Sequence, residues 1–260
     1  MMPAGPIQYK YHQPHSVSIC MVAYKLDELS SAEFGALVKK NPIVFLPLGA
    51  VEEHGAHLPL STDSLQPEYI VEKVAARLPG PALIAPPIRY GNCVTTRGFP
   101  GTISLSFDTL RALIEDILEE LCRNGVRRVV IVSGHAGGAH MAALRTAGET
   151  VVEDTPDLKL MVLSDYDIAY ELKGKEFDER DGHAGTIETS RVMAIKPRLV
   201  KKRGVKSYDR PPRFMITANP EKHFPTGVMG DATKASPGQG RRINNYIING
   251  LAELVKQNLG

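Results

Sequence analysis

Ile43-Val44-Phe45-Leu46-Pro47-Leu48 is a continuous apolar run, and Gly49 follows it directly. A run that is apolar on both faces is typical of a central strand that helices cover on each side of a sheet. Pro47 stands near the end of the run, where the loss of a backbone donor costs least. The run therefore predicts a central strand of a mainly parallel sheet.

Strand and helix patterns alternate along the chain on both sides of this run. Further strands are predicted at residues 83–85, 128–132 and 160–163. Predicted helices cover residues 27–40, 63 or 64 to 78, 108–124 with Asp108 as N-cap, 138–153, 186–195 and 238–259. Because strands that alternate with helices require crossover connections, we expect an α/β fold with helices on both faces of the sheet.

The domain organisation follows from the same patterns. Residues 1–25 contain several prolines and little periodicity, so they are predicted to form an N-terminal arm. Residues 26–260 are predicted to form a single domain. Within it, residues 201–235 are a long irregular segment, which usually means a functional cover or an oligomer contact.

Composition excludes several classes of protein. The net charge of +2 argues against bulk nucleic-acid binding. No apolar stretch is long enough to span a bilayer, so we expect no membrane partner. The three widely spaced cysteines Cys20, Cys93 and Cys122 do not form a disulfide framework. They favour a reducing, cytoplasmic location and are interpreted as small buried apolar side chains.

The first group of chemically suggestive residues follows the central strand, where ligand sites of parallel sheets occur. Glu52 and His54 are two residues apart, so in an extended loop both side chains point to one side. Asp63 comes after a loop with Gly and Pro that can fold back towards them. His57 is a further candidate, but its offset from His54 places it on the other side.

Two later segments carry similar residues. His135 is predicted at the carboxyl end of a second central strand, among glycines that let the backbone approach a ligand. His183 precedes a predicted helix, and Glu188 lies on its first turns. Mixed imidazole and carboxylate ligands suit Zn, Mn or Fe. The alternative, hydrogen-bonded loop histidines, stays open, whereas a P-loop and a G-x-S-x-G elbow are both absent from the sequence.

At these residues the sequence resembles the creatininase (creatinine amidohydrolase) family. The resemblance covers nearly the whole chain from about Leu26 onward. It rests on five segments in the family's order, which are residues 49–63, 99–104, 133–138, 183–190 and 227–233. Each segment alone is modest evidence, and five in order identify the family.

The resemblance implies a three-layer αβα domain with two divalent metal ions per chain, Zn, Mn or Fe. Carried over, Glu52 and His135 hold one ion, His54 holds the other, and Asp63 bridges both. His183 takes the family's catalytic role. The family also implies a homo-oligomer, by analogy a hexamer.

The sequence departs from creatininase itself at three points. Gly137 stands where creatininase has a glutamate ligand, so we predict that Glu188 completes the second site and takes part in the catalytic step. Creatininase closes over creatinine with tryptophans, and this chain has none. Many relatives have a histidine near the position of Arg97. Together with Arg89, Arg97 is interpreted either as an anion-binding edge or as a surface residue.

The resulting hypothesis is a metal-dependent amidohydrolase that hydrolyses a non-peptide C–N bond, in a cyclic amide or formamide, with a metal-activated water. His183 would protonate the leaving nitrogen, and Glu53 is interpreted as a partner of His54 or as solvent-facing. One alternative is a formamidopyrimidine-nucleotide deformylase of flavin or deazaflavin biosynthesis. Peptide trimming in cofactor maturation, cleavage of a sugar-derived ring and a non-catalytic metal- or nucleotide-binding oligomer also stay open.

Overall fold

The computed structural model describes residues 7–8 and 22–260, and in this part of the chain a six-stranded sheet forms the centre. Its strands are β1 Ile7–Gln8, β2 Val22–Lys25, β3 Ile43–Leu48, β4 Ala82–Ile84, β5 Arg128–Ser133 and β6 Lys159–Ser164. They lie in the order β1-β2-β4-β3-β5-β6, and every pair except β1–β2 is parallel. The prediction of a mainly parallel sheet is confirmed.

Helices cover both faces of this sheet. They are α1 Ser31–Val38, α2 Thr62–Ala75, α3 Phe107–Arg123, α4 Gly138–Asp154, α5 Asp165–Ala169, α6 Thr186–Ile195 and α7 Pro237–Leu259. Phe45 packs in the apolar cluster that includes α2 and α7, whereas Val44 packs in the cluster that includes α3 and α4. Successive side chains of a strand point to opposite faces, so β3 is covered on both sides and the fold has three αβα layers.

Several predicted boundaries were wrong. The helix predicted from residue 27 is a short 3₁₀ turn followed by α1, whose capping box joins Ser30 and Glu33. The N-cap of α3 is Ser106 rather than Asp108, since the Ser106 side chain accepts from the Thr109 N–H. Helix α2 ends at Ala75, three residues early.

Other elements had no counterpart in the sequence patterns. Strand β2 lies within the predicted arm, and the rest of that arm, apart from residues 7–8, is outside the described residues. The short helix α5 was missed. The predicted irregular segment contains both strands of a small antiparallel ribbon, β7 Lys206–Ser207 and β8 Gly230–Asp231.

The sheet order brings the first two functional segments together. Leu48 and Ser133 pair at the carboxyl ends of β3 and β5, so the loops that follow them meet. A Cβ atom at Gly134 would overlap the backbone of Asp63 and the ring of Pro67. The end of β5 therefore lies directly against the first turn of α2, and only glycine permits this approach.

Candidate metal centre

Five side chains from four chain segments converge beyond the ends of β3 and β5. His135 Nδ1 lies 2.8 Å from Glu52 Oε2 and 3.2 Å from Asp63 Oδ2. The other oxygen of Asp63, Oδ1, lies 3.0 Å from His54 Nε2. Glu188 Oε2 is 3.6 Å from the same His54 nitrogen. Asp63 thus stands between two groups of potential ligands and faces each with one oxygen.

The cluster leaves buried polar atoms without partners. Glu52 Oε2, His54 Nε2 and Asp63 Oδ2 make no hydrogen bond to any described residue, although all three are buried. Leaving such an atom unpaired costs about 1–3 kcal/mol, and more if it is charged. Divalent cations bound among these side chains would satisfy all three atoms, so the residues fit metal ions.

The orientation of both histidines suits metal binding. His54 Nδ1 lies 3.1 Å from the Glu52 carbonyl oxygen, and His135 Nε2 lies 3.0 Å from the Asn92 carbonyl oxygen. A carbonyl only accepts, so these nitrogens carry the N–H groups. The opposite nitrogens, His54 Nε2 and His135 Nδ1, then present lone pairs to the carboxylates when the rings are neutral. That arrangement requires a proton or a cation between them.

The pKa values of the cluster show that, without an ion, protons lie between the histidines and the carboxylates. Burial acts to lower the pKa of His54, but Asp63 and Glu188 outweigh it and raise this pKa to about 10. Burial opposes protonation of His135 in the same way, and Glu52 and Asp63 raise its pKa well above the ordinary value. Burial acts to raise the pKa of Asp63. The neighbouring His54 outweighs this effect and holds the pKa of Asp63 well below its usual range. Without an ion, protonation of His54 and His135 therefore balances the charge of the neighbouring carboxylates.

Metal affinity is expected to rise with pH for this reason. At pH values below the His54 pKa of about 10, an incoming ion must displace the proton from His54. The apparent affinity should gain up to about tenfold per pH unit for each proton released. Calorimetric titration of the metal-free protein in buffers of different ionisation enthalpy measures both quantities. An affinity that does not change with pH, without proton release, would contradict the assignment of His54 and His135.

His183 lies beside His54, and one of its ring nitrogens is within 4.8 Å of ligand atoms of Glu52 and His54. Its ring centroid is 4.3 Å from that of His54. Its Nε2 is 3.1 Å from Glu53 Oε1 and 2.8 Å from the Glu53 carbonyl oxygen. Glu53 is buried and contacts His183, so its interpretation as a partner of His54 or as a solvent-facing residue was wrong. A Cβ atom at Gly227 would overlap the Glu53 carboxylate, which explains the glycine in the fifth segment.

Sequence reasoning missed the residues that hold the ligands in place. The Thr96 hydroxyl donates to Glu52 Oε1. The Asn92 N–H donates to His140 Nδ1 over 3.2 Å, and His140 Nε2 lies 3.1 Å from Ser133 Oγ. Asn92 and His140 are more than forty residues apart in the sequence, so no local spacing could reveal their contact.

Some candidates lie elsewhere. His57 faces Thr189 Oγ1 at 2.9 Å, and burial followed by the charge of His54 lowers the pKa of His57 to about 4. Arg89 pairs with Glu68, and Arg97 is exposed. Neither arginine lines the cavity beside the metal cluster. The structure therefore gives no support to an anion-binding edge.

This cavity has a volume of about 230 Å³ and opens onto the ligand cluster. Cys93, Val94, His183 and Met229 contribute to its wall. A Cβ atom at Gly137 would overlap the His135 ring, so a side chain at this position would require His135 to move. Glu188 instead supplies the carboxylate near His54 and Asp63.

Comparisons with known proteins agree with the geometry. The family profile described as creatinine amidohydrolase matches residues 27–255. Creatinine amidohydrolase of Pseudomonas putida is 31% identical over 255 residues, which cover 88% of this chain and 95% of that protein. The chain belongs to the creatininase family. This creatininase-family chain is also similar to a mycofactocin precursor peptide peptidase of Mycolicibacterium smegmatis, 31% identical with 83% and 85% of the two chains covered.

The solved structure described as "Creatininase Mn" shares the fold of this creatininase-family chain. It has a TM-score of 0.82 and 27% identity, and the match covers 91% of this chain and 99% of that one. These findings identify an amidohydrolase that acts on carbon–nitrogen bonds, and with the ligand cluster they support binding of a divalent metal. In the described residues, no helix is long and apolar enough to cross a membrane.

Proposed function

We propose that the chain holds two divalent ions and uses them to hydrolyse the amide C–N bond of a small molecule, a cyclic amide or a formamide. Glu52 and His135 hold the first ion, His54 and Glu188 hold the second, and Asp63 is shared. The main support for this proposal is that three buried atoms have no hydrogen-bond partner, namely Glu52 Oε2, His54 Nε2 and Asp63 Oδ2. Zn, Mn and Fe all match this set of nitrogen and oxygen ligands.

A divalent cation in this cluster supplies an activated water and polarises the scissile carbonyl. His183 supplies the proton for the leaving nitrogen. Burial and the nearby His54 act to lower the pKa of His183, but the Glu53 carboxylate raises it above its ordinary value. The raised pKa favours the protonated form of His183, which is the form that can donate. The Ala184 N–H donates to Glu188 Oε2, which fixes this carboxylate beside His54.

The cavity favours a small, uncharged substrate. Its volume of about 230 Å³ is modest, and the lining residues include no arginine or lysine. This composition speaks against a nucleotide phosphate and hence against the deformylase alternative. The absence of tryptophan speaks against creatinine itself. A short peptide is the second candidate, because a relative of 31% identity is named as a peptide peptidase.

The test is a screen of the metal-reconstituted protein. Purified chain is stripped of metal, loaded separately with Zn, Mn and Fe, and assayed on formamides, cyclic ureides and short peptides. The control for each ion is the stripped protein in the same buffer. Fewer than one ion bound per chain, together with no hydrolysis by any loaded form, would refute the proposal.

Glu188→Gln is expected to empty the second metal position and leave the first occupied. The amide cannot supply an anionic ligand to the ion beside His54, whereas Glu52 and His135 are unchanged. The metal content should fall from two ions per chain to one, and hydrolysis should fall by more than about 100-fold, beyond the effect of losing an outer ligand partner. Elemental analysis measures the first quantity, with Glu119→Gln on the surface of α3 as control. Retention of both ions would exclude Glu188 as a ligand.

A homo-oligomer, by family analogy a hexamer, and a cytoplasmic location complete the proposal. An exposed apolar run supports contact between copies, since Phe214 is 92% exposed, Met215 65% and Ile216 103%. Soluble monomers rarely leave such runs uncovered. Sedimentation analysis of the natural chain and of Ile216→Ser tests this contact.

A further inference from the structure

Cys93 lies at the metal cluster, although nothing in its sequence context indicates a ligand. The residue is 1% exposed and lies in the cavity wall after β4. Its Sγ, a carboxylate oxygen of Glu52 and a ring nitrogen of His135 all lie within 4.8 Å of one another. This is the spacing of groups that can share one ion.

The surroundings of Cys93 differ from those of a cysteine that only fills space. Cys122 packs with apolar side chains in the cluster that includes α3 and α4. Cys93 belongs to none of the apolar clusters formed by the described residues, and its sulfur lies near polar groups of Glu52 and His135 instead. A thiol in such surroundings gains little from apolar packing.

The loop holds the thiol in a fixed position. The Cys93 N–H donates to Ser104 Oγ over 2.8 Å. The preceding residue, Asn92, accepts from His135 Nε2 and donates its N–H to His140 Nδ1. The segment that carries Cys93 is thus bonded to the same histidine that faces the ion. Glu52 Oε2 and Asp63 Oδ2, both buried and unpartnered, provide independent evidence for a cation at this place.

We propose that Cys93 binds the first ion as a thiolate, together with Glu52, Asp63 and His135. This proposal rests on the metal centre proposed above. The thiol proton passes to solvent when the ion binds, as it does for other coordinating cysteines. A sulfur ligand favours Zn over Mn, because Mn prefers oxygen ligands.

The added ligand makes the two ions unequal. With Cys93, the first ion would have four protein ligands, Cys93, Glu52, His135 and the shared Asp63, which is the number found in structural zinc sites. The second ion would have three, namely His54, Asp63 and Glu188, which is the number found in catalytic zinc sites. The second ion would then be the one that supplies the activated water.

Cobalt spectroscopy of the full chain tests the proposal. Co²⁺ bound by a thiolate gives a charge-transfer band in the near ultraviolet. The visible bands of Co²⁺ show that the ion is bound, whether or not sulfur is among its ligands. We expect both sets of bands in the natural protein and in the matched control Cys122→Ser. Cys93→Ser should keep the visible bands, lose the charge-transfer band and reduce the preference for Zn over Mn at least about tenfold.

The outcomes separate the two proposals. Visible bands without the charge-transfer band in the natural protein overturn the role of Cys93 and leave the metal centre standing. No bound cobalt at all overturns the metal centre. If Cys93→Ser does not fold, the double variant Cys20→Ser/Cys122→Ser decides, because Cys93 is then the sole cysteine. A charge-transfer band that persists in this variant supports the proposal, and its disappearance refutes it.

Discussion

Asp63→Ala is expected to remove both metal ions from the chain at once. Asp63 faces His135 with Oδ2 at 3.2 Å and His54 with Oδ1 at 3.0 Å, so one substitution deletes a ligand from each position. Each histidine would then face a single carboxylate, and the first position, which keeps the Cys93 thiolate proposed above, would lose the carboxylate that it shares with the second. Elemental analysis should find a fall from two ions per chain to none, and hydrolysis should fall by more than about 100-fold.

A surface aspartate supplies the control for this variant. Asp116→Asn on α3 changes an exposed carboxyl and should keep the full metal content. Loss of a single ion in Asp63→Ala would refute the bridging role and assign Asp63 to one position. Circular dichroism of the metal-free forms shows whether the fold itself survives the substitution.

Arg191→Met is expected to lower the free energy of unfolding by about 3–5 kcal/mol, the usual cost of removing one partner of a buried ion pair. The side chains of Arg191 and Asp165 are both 0% exposed. Arg191 Nη1 donates to Asp165 Oδ1 over 3.1 Å, and Arg191 Nε donates to Asn244 Oδ1 over 3.0 Å. Methionine would leave the Asp165 carboxylate buried without a cation.

Thermal unfolding measures this effect, with a shift of about 2–4 °C for each kcal/mol in a chain of this size. The matched control is the double variant Arg191→Met/Asp165→Leu, which removes the stranded charge and should recover most of the loss. Arg191 lies one turn after Glu188 on α6, so the single variant should also weaken metal binding. A change in unfolding free energy below about 1 kcal/mol would contradict the importance of the pair.

The sheet could be predicted where the sequence is apolar on both faces. The run Ile43–Leu48 is the observed β3, and the helix predicted at residues 186–195 is the observed α6. Strand β2 could not be predicted, because its four residues follow a proline-rich stretch and gain their pairing only from the distant β4 and the two-residue β1. The cap of α3 was misplaced since Ser106 and Asp108 are both competent caps.

The ligand candidates could be named because each follows a strand or begins a helix. The residues around them could not. Glu53 was assigned to the wrong histidine, because its neighbour in sequence is His54 whereas its neighbour in space is His183. Thr96 and Cys93 were missed for the same reason, since their loop joins the cluster only through the order of β4, β3 and β5. Tertiary contact, and not local pattern, selects these residues.

The proposed ligands come from segments spread from residue 52 to residue 188, so metal binding depends on the folded state. An unfolded chain cannot gather them, so ions bind essentially to the folded state alone. Each tenfold excess of free ion over its dissociation constant then adds about 1.4 kcal/mol to the free energy of unfolding. Chelation would populate open forms that proteases cleave, and scarcity of metal would thereby lower the amount of the enzyme as well as its activity.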